Sequence, residues 1–172
     1  MARVSHMSSE KVDPELRPLY AEFAAEQFGN QVAVLAHSAP VLRHLYGMVK
    51  DLREEGELPQ RLVEIAVVAT SEANRCKYCV AHHAPVLKGL GLPAETVARI
   101  LEPEVPGLDE RERLVRDYAV LVTEQPGRIR DGVFERLRGH FSERQIVELT
   151  ARIALCGVFN RLNDALQIES EL

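Results

Sequence analysis

The sequence has 172 residues, 46% hydrophobic and 27% charged, which is ordinary for a folded domain with a sizeable core. Its net charge of −5, with acids and bases interspersed, argues against nucleic acid and anionic membranes as partners. No apolar run approaches the roughly 20 residues of a membrane span. With three cysteines and no secretory signal, we expect a cytoplasmic protein.

Helical patterns begin near the N-terminus. Asp13 is predicted to cap the first helix, and Gly29 is predicted to end it. A second helix is predicted from Pro40 to Gly56, because a proline suits the first turn and a glycine suits the end.

The central part of the chain is predicted to form two consecutive helices. The first follows Pro59 and is almost entirely apolar over Leu62–Ala69, which indicates burial on several sides. The second is expected to take Asn74 as its N-cap and to end at Gly89 or Gly91.

The C-terminal part of the sequence also predicts helices. A short helix opens at Pro93, and a longer one runs from the Asp109 cap to a stop at Pro126. The final long apolar helix opens with a capping box formed by Ser142 and Gln145.

These segments define an all-α protein, because hairpin turns and sustained alternation are absent from the sequence. Residues 1–7 have no periodicity and are interpreted as a vector-derived leader. Residues 8–172 contain no linker-like segment and are predicted to form a single domain.

The stretch NRCKYCVAHHAPVLKGLG carries the chemistry that stands out. On a helix, Cys79 lies about 60° and His83 about 20° around from Cys76, so the three share one face. A helix N-terminus favours thiolate over thiol and lowers the pKa of a cysteine. A neighbouring imidazole can take the proton, so the pattern indicates a redox-active dithiol.

A metal site is a second interpretation of the CxxC pattern. Cys76, Cys79 and His83 with a distant carboxylate are a possible metal set, although structural zinc sites take four ligands, usually from a second pair. Haem attachment needs a histidine directly after the second cysteine, where the sequence has Val80. The plainest interpretation is that two buried thiols lie three residues apart by chance.

Three further residues have informative surroundings. Cys156 lies in an apolar helix and is expected to be a core thiol. His82 points about 100° away from His83 and is expected to be exposed or at a subunit contact. Glu64 stands alone in the most apolar stretch, so it must face solvent, find a partner or have a raised pKa.

Glu64, eleven intervening residues, and then Cys76-x-x-Cys79-x-x-x-His83 resemble the signature of the AhpD-like alkylhydroperoxidases. These belong to the carboxymuconolactone decarboxylase superfamily, all-α proteins that assemble as trimers or hexamers. The resemblance is specific from Leu62 to Gly91 and looser in the C-terminal stretch GVFNRLNDALQIE.

The resemblance implies that Cys76 and Cys79 are the redox pair and that Glu64 and His83 form a proton relay. Tyr78 stands where the best-known members carry a histidine. With an ordinary pKa of about 10, a tyrosine can orient a water but is a poor proton shuttle at neutral pH. Tyr78 and His82 are therefore assigned supporting roles.

The expected reaction is the reduction of an organic hydroperoxide, an antioxidant activity. Cys79 is favoured as the attacking sulfur, because His83 lies one turn away, with Cys76 as the resolving and donor-facing thiol, and the reverse assignment stays open. No bound cofactor or metal is expected. An external dithiol, of thioredoxin or lipoyl type, restores the pair, and the protein is expected to be a homo-oligomer, a trimer or hexamer.

Three other functions remain open from sequence. A carboxymuconolactone-type decarboxylase would need no thiol, so its turnover would survive thiol alkylation. A dithiol–disulfide oxidoreductase or redox sensor would reduce peroxide poorly. A non-catalytic structural oligomer would have an unreactive CxxC.

Overall fold

The computed structural model describes residues 2–172 apart from the side chain of Gln27, so Met1 of the predicted leader lies outside the described residues. Within this range the chain is helical and has no strand, which confirms the all-α class. The α-helices in chain order are α1 Arg17–Phe23, α2 Gly29–Leu35, α3 Ala39–Val41, α4 Gly47–Glu55, α5 Gln60–Ala73, α6 Lys77–Gly89, α7 Ala94–Ala98, α8 Glu110–Glu124, α9 Asp131–Arg138 and α10 Glu143–Leu166.

Gly29 begins a helix rather than ending one, so the predicted stop is wrong. A π-helical segment, Ala24–Phe28, connects α1 to α2 without a break. Gly29 has φ −58° and ψ −45°, which are ordinary helical angles. A glycine ends a helix when the chain turns into the left-handed region there, and at Gly29 it does not.

The described residues fall into two compact units. One comprises the residues up to Gly56 together with Leu162–Leu172, and the other is Glu57–Arg161. The prediction of a single domain over residues 8–172 therefore stays a prediction.

The unit Glu57–Arg161 is built around α5, which packs against α6 and α8. The apolar stretch of α5 is buried as predicted, with Ile65, Val68 and Ala69 fully enclosed. The C-terminal helix α10 adds Leu149 and Ile153 to the same core. A helix that is apolar over most of its circumference suits this central position, because neighbours cover it on several sides.

The predicted helix starts in this unit are confirmed at α8 and α10. The Asp109 carboxylate accepts from the backbone N–H of Glu112, whose side chain accepts from the Asp109 N–H in return. Ser142 and Gln145 make the same reciprocal pair at the start of α10. Each arrangement satisfies backbone donors that the first turn would otherwise leave unpaired.

The other unit contains a buried polar chain of hydrogen bonds. The Tyr46 hydroxyl donates to the Gln31 carbonyl oxygen at 2.7 Å, and the Gln31 amide donates to Asn163 at 2.8 Å. Tyr46 also packs against Phe23, with ring centroids 4.6 Å apart. Pairing lets these polar groups be buried at little cost.

The turn between α5 and α6 is a Schellman motif. The N–H of Cys76 donates to the carbonyl of Ser71 at 2.9 Å, and the N–H of Arg75 donates to that of Glu72 at 3.0 Å. Asn74 therefore ends α5, and Cys76, not Asn74, is the N-cap of α6. The predicted cap is wrong because the turn carries the chain past Asn74 before a new helix can start.

We predict that Arg75→Gly stabilises the protein. Arg75 is exposed and has φ +58°, a left-handed conformation that costs a side-chain-bearing residue about 1 kcal/mol and costs glycine little. Urea unfolding should show a gain of that order. Gly91→Ala is the matched control, because φ +88° there should make the added methyl group destabilising. Loss of stability in Arg75→Gly would contradict the assigned role of this turn.

Candidate active site

The Schellman turn places the two cysteines of the motif at the start of α6. Cys76 occupies the N-cap with φ −79° and ψ 96°, and Cys79 lies in the first turn. Both side chains are buried, Cys76 completely and Cys79 with 5% of its surface exposed. All three cysteines of the chain carry thiols in the structure.

The two sulfurs form one interacting pair. Cys79 is hydrogen-bonded to Cys76, and this bond, followed by burial, raises the pKa of the Cys79 thiol well above its ordinary value. The expectation that the helix N-terminus lowers the cysteine pKa is thus wrong for Cys79. The dipole favours the thiolate by a modest amount, whereas removing a charge from water opposes it more strongly.

A carboxylate–imidazole pair lies between α5 and α6. The Glu64 Oε2 atom is 2.9 Å from Nδ1 of His83. Both side chains are largely covered, with 11% and 23% of their surfaces exposed. An ionised carboxylate only accepts hydrogen bonds, so Nδ1 of His83 is the atom that donates to Glu64.

Glu64 therefore has a hydrogen-bond partner, which is one of the three outcomes that the sequence predicted for a carboxylate in this apolar stretch. His83 lies at i+4 from Cys79, one turn further along α6. The helical pair α5–α6 consequently brings the four motif residues into one region of the unit Glu57–Arg161.

His82 is buried, so the expectation of an exposed side chain is wrong. Its ring lies 4.3 Å, centroid to centroid, from the ring of Tyr78, which is also buried. The two residues are four positions apart on α6, so their rings lie against each other along the helix. The face of α6 that the helical angle predicted to be exposed is therefore buried at these two positions.

The sequence did not reveal a second group of site residues. Asn160 and Cys156 of α10 contact Ser71 of α5, the residue whose carbonyl holds the N–H of Cys76. The Asn160 amide nitrogen also lies 3.7 Å from the Cys156 sulfur. The available signal is an asparagine that directly follows the apolar stretch IALCGVF, four residues after a cysteine.

Cys156 is buried, as expected, and its sulfur also has polar neighbours. It lies 3.4 Å from the Ser71 hydroxyl and 3.7 Å from the Asn160 amide nitrogen. Burial raises the pKa of Cys156 to about 11. Besides Cys76 and Cys79, the chain thus holds a third buried sulfur, and it remains protonated at neutral pH.

Among residues 2–172, no cluster of three or more histidine, cysteine or acidic side chains has the arrangement to hold a metal ion. None of the helices in the described range is both long and apolar enough to cross a membrane.

Fold and site together define a helical protein with a buried dithiol beside a carboxylate–histidine pair. Residues 39–106, which include all four motif positions, match the model of the Carboxymuconolactone decarboxylase family. An uncharacterized protein of Escherichia coli K12, YnjA, is 27% identical over 135 residues, 77% of this chain and 74% of YnjA.

Two similar solved structures cover almost the whole chain. An uncharacterized peroxidase-related protein from Ralstonia eutropha JMP134, described as an alkylhydroperoxidase AhpD core, superposes with a TM-score of 0.85 at 25% identity, over 99% of this chain and 92% of that one. The debrominase Bmp8, in complex with 2,3,4-tribromopyrrole, gives a TM-score of 0.81 at 20% identity, over 98% and 91%. Residues 39–106 are thus similar to the Carboxymuconolactone decarboxylase family, and almost the whole chain shares the fold of these two solved structures.

We predict that Cys156 resists alkylation in the native protein. Thiolate is the reactive form, so the reaction with iodoacetamide should stay slow until the pH approaches about 11, and unfolding in denaturant should abolish the protection. The tryptic peptide Ile153–Arg161 reports this thiol by mass spectrometry. Rapid labelling of the folded protein at neutral pH would contradict the assigned environment.

Proposed function

We propose that the protein is a thiol-dependent hydroperoxide reductase with an antioxidant role. The observation that carries the proposal is the 2.9 Å hydrogen bond between Glu64 and His83, one helical turn from a buried dithiol. Similarity of residues 39–106 to the Carboxymuconolactone decarboxylase family, and of the whole chain to the peroxidase-related protein from Ralstonia eutropha, supports a peroxidase-related activity.

The first step is base-assisted attack by Cys79. Because its pKa is raised, Cys79 is a thiol at neutral pH and must lose its proton as it reacts. Nε2 of His83 takes that proton, and Glu64 stabilises the imidazolium that forms. The sulfur attacks the terminal oxygen of the hydroperoxide, the O–O bond breaks, and the products are a Cys79 sulfenic acid and an alcohol.

The second step forms a disulfide. The Cys76 thiol attacks the sulfenic acid sulfur, water leaves, and the two cysteines are oxidised to a disulfide. An external dithiol then exchanges with this bond, returning both cysteines to thiols while the donor becomes a disulfide. The proposal includes no bound cofactor.

The accessible sulfur differs from the one that the sequence favours as donor-facing. Cys76 has no exposed surface, whereas Cys79 retains 5%. We therefore propose that peroxide and donor both approach the pair from the side of Cys79. Tyr78 and His82, stacked beside the pair, are proposed to support the first turn of α6.

We also propose that the protein is a cytoplasmic homo-oligomer, a trimer or hexamer. Apolar side chains on the outer face of α10 support self-association, since Val147 and Val158 are 69% and 40% exposed. Light scattering that gives a monomer at all concentrations would contradict it.

The activity test is peroxide consumption with several dithiol donors. Wild type should consume an organic hydroperoxide, and Cys79→Ser and Cys76→Ser should each lose turnover, because a disulfide needs both sulfurs. Cleavage of disulfide substrates with little peroxide loss would instead indicate a dithiol oxidoreductase. Decarboxylation that survives thiol alkylation would contradict the proposal outright.

We predict that Glu64→Gln and His83→Asn act through one relay. Each should lower peroxide turnover by about 10²–10⁴-fold and move the pH profile of Cys79 alkylation upward, because the proton acceptor is weakened or lost. The double variant should be little worse than either single one, since the two residues act as a unit.

Glu112→Gln is the matched control for the relay. Glu112 is another buried carboxylate of the same unit. Its Oε1 atom is 2.6 Å from Nε of Arg61, so its partner is an arginine and not a residue of the motif. Its loss should reduce stability without moving the alkylation profile. A wild-type profile in Glu64→Gln would make Glu64 a structural residue.

A further inference from the structure

A buried asparagine on α10 is hydrogen-bonded at two points to the turn between α5 and α6. The Asn160 side-chain nitrogen donates to the Ser71 hydroxyl at 3.3 Å, and its Oδ1 atom accepts from the Asn74 side-chain amide at 2.8 Å. Asn160 is 1% exposed and Ser71 is fully buried. One side-chain amide thus uses both a donor and its acceptor on the same turn, and burial limits competition from water for these bonds.

Ser71 and Asn74 are the residues that fix where the chain leaves α5. The Ser71 carbonyl accepts from the N–H of Cys76 at 2.9 Å, and Asn74 caps the C-terminus of α5 two positions before Cys76. Cys76 is the N-cap of α6, so this turn sets where its sulfur lies relative to Cys79 in the first turn of the helix. We call Asn160 with its bonds to Ser71 and Asn74 the asparagine clamp.

The turn needs contacts from elsewhere to hold its shape. Arg75, between Asn74 and Cys76, has a left-handed conformation that a residue with a side chain adopts only when its surroundings impose it. The clamp supplies such contacts from α10, on the two residues of the turn that precede Arg75 and bear polar side chains toward that helix.

A dithiol closes to a disulfide more readily when both sulfurs are already held in place. Closing the bond between Cys76 and Cys79 costs the conformational freedom that the two residues retain as thiols. Cys79 lies within α6 and is fixed by the helix, whereas Cys76 lies at its edge and depends on the turn. Loss of the clamp should therefore make the disulfide less favourable relative to the two thiols.

We propose that Asn160 is a positioning residue for the dithiol, which holds the turn so that Cys76 meets Cys79 and thereby favours their disulfide. Its use in resolving a Cys79 sulfenic acid rests on the proposed peroxidase function. Its effect on the thiol–disulfide equilibrium does not, because that equilibrium is measured with glutathione and without any peroxide.

The test is the equilibrium with glutathione in wild type, Asn160→Ala and Asn74→Ala. Cys76 and Cys79 lose two electrons and two protons as they form the disulfide, and glutathione disulfide takes them up to become two glutathione molecules. Free thiols are alkylated in denaturant after an acid quench, and the disulfide is then reduced and labelled with a second reagent. The tryptic peptide Tyr78–Lys88 gives the oxidised fraction of Cys79, and the intact mass distinguishes the internal disulfide from a glutathione adduct.

Each variant should lower the equilibrium constant for the disulfide by about two- to tenfold, the range that one hydrogen bond covers. Asn160→Ala removes both bonds of the clamp and should lie toward the upper end, whereas Asn74→Ala removes one. The double variant should be little worse than Asn160→Ala, because the bond between the two asparagines is already lost there.

The matched control is Asn163→Ala. Asn163 is equally buried, lies on the same helix, and receives a hydrogen bond from Gln31. Its replacement should lower the melting temperature and leave the glutathione equilibrium unchanged, which separates a general loss of stability from the proposed role. If Asn160→Ala does not fold, Asn74→Ala carries the test, because Asn74 is only half-buried.

A wild-type equilibrium in the folded clamp variants would overturn the inference, as would an equal shift in Asn163→Ala. A lowered equilibrium constant in a protein that consumes no peroxide would support the inference and contradict the proposed function. Peroxide turnover in a wild type whose glutathione equilibrium the clamp variants leave unchanged would do the reverse.

Discussion

The hydrogen bond between Glu64 and His83 is the constraint on which the arrangement of the site depends. A carboxylate in the most apolar helix of the chain carries a large desolvation cost unless it finds a partner. The partner is an imidazole on the next helix, so the pairing links α5 to α6 and holds one ring nitrogen of His83 in place. Fold and chemistry are thus linked through one contact of 2.9 Å.

Burial of the dithiol explains why the proposed reaction needs the hydrogen bond between Glu64 and His83. A preformed thiolate would need no base, but Cys79 is enclosed, hydrogen-bonded to Cys76 and held as a thiol. In the proposed reaction, proton removal accompanies attack by Cys79, and a histidine oriented by a carboxylate is suited to that task. The protected resting state also keeps the thiol from indiscriminate alkylation or oxidation.

The part of the site that the sequence could predict is local. Glu64, Cys76, Cys79 and His83 span twenty residues of two adjacent helices, so helical spacing alone puts three of them on one face. Asn160 could not be found in this way, because it reaches Ser71, whose carbonyl accepts from the Cys76 N–H, from the distant helix α10. Periodicity relates neighbours along one helix and says little about which helices pack together.

The wrong expectations share a physical origin in tertiary context. Asn74 is a good N-cap residue, yet the Schellman turn assigns it to the end of α5. Gly29 has the residue type of a helix stop and keeps helical angles. The helical angle from His83 predicts an exposed His82, but stacking on Tyr78 buries it. In each case the local preference is real and a neighbouring element decides the outcome.

The central claim, that Cys79 is the sulfur that attacks the hydroperoxide, is tested most directly by trapping its sulfenic acid. In reduced Cys76→Ser no resolving thiol of the pair remains, so a hydroperoxide added in equal amount should leave an oxidised Cys79 that dimedone captures. We expect a dimedone adduct on the peptide Tyr78–Lys88, formed together with the corresponding alcohol. An adduct that instead forms on Cys76 in reduced Cys79→Ser, with none on Cys79 in Cys76→Ser, would contradict the claim.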